Sequence, residues 1–100
     1  MAEILLYWGW DADLLECPQY IADDINIYQR QFDKWISNPN NHHSYWTKDS
    51  EDELALCFDG TAFLEWLNNI VLANEKEKAH FIKRQFVPVK AELDLPRINF

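Results

Sequence analysis

The sequence predicts an α+β fold in which two main helices pack on a small, mainly antiparallel sheet. Three observations lead to this prediction. A short β-favouring run opens the chain, a long stretch with helical hydrophobic spacing follows, and a second apolar helix precedes a strand that a proline interrupts. With 100 residues, 48% of them apolar, the chain is expected to form a single globular domain, residues 1–100, around one core.

The first forty residues predict one strand and one long helix. Ile4 to Trp8 is a continuous apolar run that ends at Gly9, which is typical of a buried strand. We interpret Asp11 to Glu16 as a connector. A helix is predicted from Pro18 to about Ser37, because apolar side chains recur there every three or four residues, at Ile21, Ile25, Tyr28, Phe32 and Trp35.

Residues 43–58 admit two interpretations. Runs of β-type composition, His43 to Thr47 and Leu54 to Phe58, flank a charged turn, and this arrangement favours a hairpin. Alternatively, Ser50 and Glu53 have the spacing of a capping box, which could start a short helix instead.

The last forty residues predict a second helix, an edge strand and a tail. Asp59-Gly60-Thr61 offers a capping oxygen for a helix that runs to about Asn74 and is apolar on most of its circumference. A strand is expected from His80, and Pro88 confines it to an edge of the sheet. Residues 91–100 are expected to be an irregular tail closed by Ile98 and Phe100.

The charge distribution indicates which classes of macromolecule the chain can bind. The chain has a net charge of −8, and its first 59 residues hold twelve acidic and three basic side chains. A field of this sign repels nucleic acids and anionic membranes and attracts basic proteins, so we expect neither a nucleic acid nor a membrane as partner. The alternative is that the acids only keep the chain soluble.

The residue types that carry catalysis or bind metals form no recognised motif. Cys17 and Cys57 fit no metal spacing, and adjacent histidines such as His42 and His43 are expected to point in different directions in a turn. We therefore expect no catalytic residue, no metal and no cofactor. The start Met-Ala-Glu lacks the basic residues of a signal peptide, and the two cysteines fit reduced thiols, so a cytoplasmic location is predicted.

One group of aromatic and acidic residues indicates binding of a protein partner. Aromatic and acidic residues alternate after the first strand and again in the predicted hairpin, and such mixtures are typical of protein interfaces. The alternative is that every tryptophan belongs to the core and every acid is merely solvated. The predicted partner-binding residues are Trp10, Asp11, Asp13, Glu16, Asp23, Asp24, Tyr45, Trp46, Asp49, Glu51 and Asp52.

The size and acidity of the chain and two of its segments resemble a known group of proteins. The two segments are Tyr7-Trp8-Gly9-Trp10-Asp11-Ala12-Asp13-Leu14-Leu15 and Phe58 to Asn68. The chain resembles the small immunity proteins of bacterial contact-dependent growth inhibition and related polymorphic toxin systems. The resemblance implies a monomer that neutralises a cognate toxin, often a basic nuclease, by occluding its active site. Two alternatives remain open: a small enzyme that uses Cys17 or a carboxylate pair, and an adaptor subunit of a larger assembly.

Overall fold

The computed structural model describes residues 1–41, 43–48 and 50–100 of the chain. Its strands are β1 (Ala2–Tyr7), β2 (Ala12–Cys17), β3 (Trp46–Lys48), β4 (Leu54–Leu56), β5 (His80–Phe86) and β6 (Arg97–Asn99). Its α-helices are α1 (Gln19–Asp23), α2 (Ile25–Ser37), α3 (Gly60–Trp66) and α4 (Lys90–Leu93), and α3 continues as a π-helical turn over Leu67–Val71. Among the described residues, no helix is long and apolar enough to cross a membrane.

The main sheet has four strands in the order β5-β2-β1-β6. β1 and β2 form an antiparallel hairpin in which Ala2 pairs with Cys17 and Tyr7 with Ala12. β5 adds to β2 in antiparallel orientation, and β6 adds to β1 in parallel orientation. The α+β fold with a mainly antiparallel sheet is therefore confirmed, with one parallel edge strand in addition.

The helices α1, α2 and α3 pack on one face of this sheet and enclose the core there. Ile4, Leu6 and Leu15 from the sheet are fully buried against side chains of α1, α2 and α3. Phe32 of α2 lies at the centre of an aromatic group, with ring centroids 5.3–6.2 Å from those of five other aromatic side chains. Those five are Trp35, Phe58, Phe63, Trp66 and Phe100.

The opposite face of the sheet carries a smaller apolar cluster. Leu5 and Leu14 are buried there, and Leu93 and Leu95 from the C-terminal segment pack against them. Because both faces of β2 are covered, its sequence lacks the polar–apolar alternation of a half-exposed strand. This is why the prediction of a connector over Asp11–Glu16 is wrong: Ala12–Cys17 is a central strand.

Two further predictions of secondary structure need correction. The helix expected from Pro18 to Ser37 is divided at Asp24, whose backbone (φ −117°, ψ 34°) leaves the helical region between α1 and α2. The tail expected to be irregular contains α4 and β6. β6 has three residues and pairs with β1 across about ninety positions, so its sequence neighbourhood carries no strand signal.

Three other predictions of secondary structure agree with the structure. β3 and β4 form the expected hairpin rather than a helix, with Trp46 opposite Leu56. The Asp59 side chain accepts the N–H of Thr61 at 2.8 Å and so caps α3. β5 is an edge strand, as predicted, although it ends at Phe86 and so does not include Pro88.

Candidate partner-binding site

The turn between β1 and β2 presents one tryptophan to solvent. Gly9 has φ +89°, a left-handed conformation that glycine adopts without steric cost. The N–H of Trp8 donates to the carbonyl of Asp11 at 3.0 Å, and the Tyr7 hydroxyl donates to the carbonyl of Gly9 at 3.2 Å. This closed turn holds Trp10 at its tip, where the residue is 78% exposed.

The neighbouring Trp8 points the other way. Its ring stacks on Phe100 with centroids 4.2 Å apart, and it meets Phe58 edge to face at 6.0 Å. Of the two tryptophans in this turn, Trp8 therefore belongs to the aromatic packing of the fold, and Trp10 is the one available for a contact outside it.

A recess of about 260 Å³ opens beside this turn, and we call it the turn-end recess. Three acidic side chains and one basic side chain take part in its wall, so its formal charge is negative. The residues that line it are Trp8, Asp11, Asp13, Asp59, Arg84 and Gln85.

Asp13 forms the floor of the recess and is only 3% exposed. Its Oδ1 accepts the N–H of Gln85 at 2.9 Å and lies 3.8 Å from Nε of Arg84. Its Oδ2 lies against the start of α3, at a place where only Gly60 leaves room for it. Asp13 thus joins β2, β5 and α3, and it is not available on the exposed acidic surface to which the sequence assigned it.

Arg84 lines the recess and joins β5 to the start of α3. Its Nη2 donates to Thr61 Oγ1 at 3.1 Å and lies 3.7 Å from Asp59 Oδ2, while its guanidinium lies 4.1 Å from the ring centroid of Phe81. β5 can present this side chain toward α3 because its pairing with β2 is irregular between Ala12 and Leu15. Gln85, with φ +51°, lies within this irregular stretch.

The sequence did not reveal the contribution of β5 to this site. Neither Arg84 nor Gln85 belongs to a recognisable pattern in the sequence. Asp59 was recognised only as a helix cap. Contacts that span about seventy residues, such as Asp13 to Gln85, leave no local pattern in the sequence.

Several predicted binding residues lie away from the turn. Glu16 is on β2 roughly 16 Å from Asp11 along the strand, half-buried and 3.7 Å from His80. Asp23 and Asp24 are exposed at the junction of α1 and α2, and Asp23 accepts a hydrogen bond from Gln19 at 2.9 Å. Because β2 leads away from the turn toward α1, these acids do not share a surface with Trp10.

The hairpin residues form a third location. Tyr45 is half-buried and donates its hydroxyl to Glu65, and burial, followed by that hydrogen bond and the charge of Glu65, raises its pKa. Trp46 is half-buried, and its indole nitrogen has no hydrogen-bond partner among the described residues. Asp52 is exposed and lies 3.6 Å from Lys48, Glu51 is exposed, and Asp49 lies outside the described residues.

The two cysteines differ in environment. Cys17 is fully buried on β2, and burial raises its pKa from 9.0 to about 11. A thiol in that position is poorly suited to act as a nucleophile. Cys57 is exposed next to β4 and unpaired. In the part of the chain that the structure describes, no three histidine, cysteine or acidic side chains are grouped so that they could hold a metal ion.

Comparisons of the chain with protein families, with curated proteins and with solved structures find no match.

Proposed function

We propose that this chain is a binding protein that neutralises a basic bacterial toxin of the nuclease type by covering the toxin's active site. The observation that carries the proposal is Trp10, 78% exposed on a turn that two hydrogen bonds close. The neighbouring turn-end recess adds carboxylates from Asp11 and Asp59.

Burial of Trp10 in a complex supplies the affinity in this proposal. A tryptophan side chain removes roughly 150–250 Å² from water when it is buried, and tryptophan is enriched among the residues that dominate interface energetics. Because the turn is already closed, little conformational entropy is lost when Trp10 docks. A preformed turn with an exposed aromatic tip is therefore a suitable anchor.

The acidic side chains supply steering and selectivity. The net charge of −8 accelerates encounter with a positively charged protein, and this effect weakens as salt is added. Nucleases of this class must attract phosphate, so a surface rich in carboxylates is complementary to their active site. The resemblance to immunity proteins supports the same class of partner.

The state of the cysteines supports a cytoplasmic location for this function. Cys17 and Cys57 are both free thiols, one buried and one exposed. An exposed free thiol is typical of a reducing compartment, where disulfide exchange does not consume it. We propose the cytoplasm as the place where the chain meets its toxin.

The proposal is tested by capture and release. The tagged chain is incubated with lysate of the cells that normally express it, washed at low salt and eluted at high salt. We expect one stoichiometric basic protein in the eluate. This protein should degrade nucleic acid when it is free, and its nuclease activity should stop when the purified chain is added back. A partner whose activity persists in the presence of excess chain, or the absence of a stoichiometric partner, would contradict the proposal.

A further inference from the structure

A second pocket lies on the helix-covered side of the molecule, between α2, α3 and the residues before β3. Its volume is about 180 Å³, which is below the roughly 300–1,000 Å³ of sites for drug-sized ligands. It can therefore take one chemical group rather than a whole cofactor. We call it the aromatic pocket, after the side chains of Trp35, His43, Tyr45 and Trp66 that line it.

The rings of this pocket are held in place by the fold. Trp35 and His43 have centroids 4.7 Å apart, and His43 and Tyr45 have centroids 5.4 Å apart. The Nδ1 of His43 accepts the N–H of Tyr45 at 3.2 Å, so its Nε2 carries the proton and donates to the carbonyl of Ile36 at 3.0 Å. In that tautomer the imidazole contributes a ring without a positive charge.

The pocket also has one negative group. Glu65 lines it, and its Oε2 accepts the hydroxyl of Tyr45, which fixes the carboxylate at the wall. No lysine or arginine among the described residues lines the pocket. Aromatic rings attract cations through their electron-rich faces, and a carboxylate adds direct charge complementarity. The arrangement thus favours a positively charged group that is small and carries apolar surface.

We propose that the aromatic pocket binds an alkylammonium group, either of a small quaternary amine or of a lysine side chain. The ammonium lies among the rings of Trp35, Tyr45 and Trp66, with Glu65 as counter-ion. This inference is independent of the proposed toxin neutralisation, because it concerns a different surface and is tested on the isolated chain.

The test compares a cation with its neutral isostere. The ¹⁵N-labelled chain is titrated with choline and, separately, with 3,3-dimethylbutan-1-ol, while the indole resonances are followed by NMR. We expect choline to shift the Trp35 and Trp66 resonances saturably and the alcohol to shift them at least about tenfold more weakly. The exposed Trp10 serves as the internal control, whose resonance stays in place.

A second arm uses N-acetyl-lysine methylamide as the probe. A stronger response to the lysine amide than to choline assigns the site to a protein side chain, and the reverse order assigns it to a small quaternary amine. Both orders support recognition of an alkylammonium group. Equal binding of choline and its neutral isostere, or no saturable shift with any cation, would overturn the proposal.

Variants separate charge from packing. Glu65→Gln keeps the shape and an acceptor for Tyr45 but removes the charge, so choline binding should weaken about tenfold while binding of the alcohol is unchanged. Glu3→Gln, an exposed acid at the start of β1, is the matched control and should leave choline binding unaltered. Unaltered choline binding by Glu65→Gln would contradict the role of this carboxylate.

Discussion

Asp13 and Gly60 depend on each other at the place where β2, β5 and α3 meet. The carboxylate of Asp13 is buried and receives a backbone N–H from β5, so it is satisfied only while these elements keep their relative positions. A Cβ on residue 60 would overlap Oδ2 of Asp13 and lie 3.1 Å from its Cγ. The absence of a side chain at Gly60 therefore leaves the space that the Asp13 carboxylate occupies.

This close contact predicts that the effect of Gly60→Ala on the free energy of unfolding depends on whether Asp13 is present. Gly60→Ala in the native chain should lower the free energy of unfolding by about 1–3 kcal/mol, because the methyl group displaces Asp13. In an Asp13→Ala background the same change should be neutral or stabilising, since alanine is the better helix former and the overlap is gone. Urea unfolding of the four chains measures this, and additive effects would disprove the coupling.

The two thiols should differ in reactivity in the folded chain. A disulfide reagent added near pH 8 should modify the exposed Cys57 rapidly and Cys17 only after unfolding, because Cys17 is buried and its pKa is raised to about 11. Cys57→Ser should abolish the rapid phase. Rapid modification of Cys17 in the native chain would be inconsistent with its position in the core.

The same burial gives Cys17 a predictable pH dependence. Its pKa is higher in the folded chain, about 11, than the value of 9.0 for an ordinary thiol, so the folded state holds the proton more tightly. This contribution to stability is complete below pH 9 and is lost as the pH rises from 9 to 11. Comparing the unfolding free energies of the native chain and Cys17→Ala across that window isolates the effect, and identical pH profiles would refute it.

At the scale of the elements, local sequence signals account for part of the fold. The strand at Ile4, the hairpin around residues 46–56 and the cap at Asp59 are set by neighbouring residues, and the sequence predicted them. β2 and β6 are stabilised by elements that are distant in sequence. β2 is covered on both faces and therefore lacks polar–apolar alternation, and β6 is too short to give a strand signal. The break at Asp24 has no side-chain cap that could mark it.

The helix α2 allows a matched comparison between a core and a surface position. Phe32→Ala removes the ring at the centre of the aromatic group and should lower the free energy of unfolding by about 3–5 kcal/mol. Ile27→Ala, on the exposed side of the same helix, should change it by about 0.5 kcal/mol or less. Denaturant unfolding followed by circular dichroism distinguishes them, and similar losses would contradict the assigned faces.

At the scale of the whole molecule, the fold divides the predicted acidic and aromatic residues among three locations. Trp10 and Asp11 lie at the turn, Asp23 and Asp24 at the helix junction, and Tyr45 at the aromatic pocket. The sequence identified the residue types, since aromatic and acidic side chains stand side by side in it. Which of them share a surface depends on sheet order and on contacts from β5, which no local pattern encodes.

The proposed function depends on Trp10 as the anchor for a basic partner. Its most direct test measures the affinity of the purified captured partner for the native chain, Trp10→Ala and Tyr20→Ala. Tyr20 is a matched control because it is also an exposed aromatic residue but lies on α1. The strand β2 separates α1 from the turn that carries Trp10.

We expect Trp10→Ala to weaken binding by about 2 kcal/mol or more, roughly 30-fold, and Tyr20→Ala to change it less than about threefold. Equal affinities of the native chain and Trp10→Ala would contradict the claim.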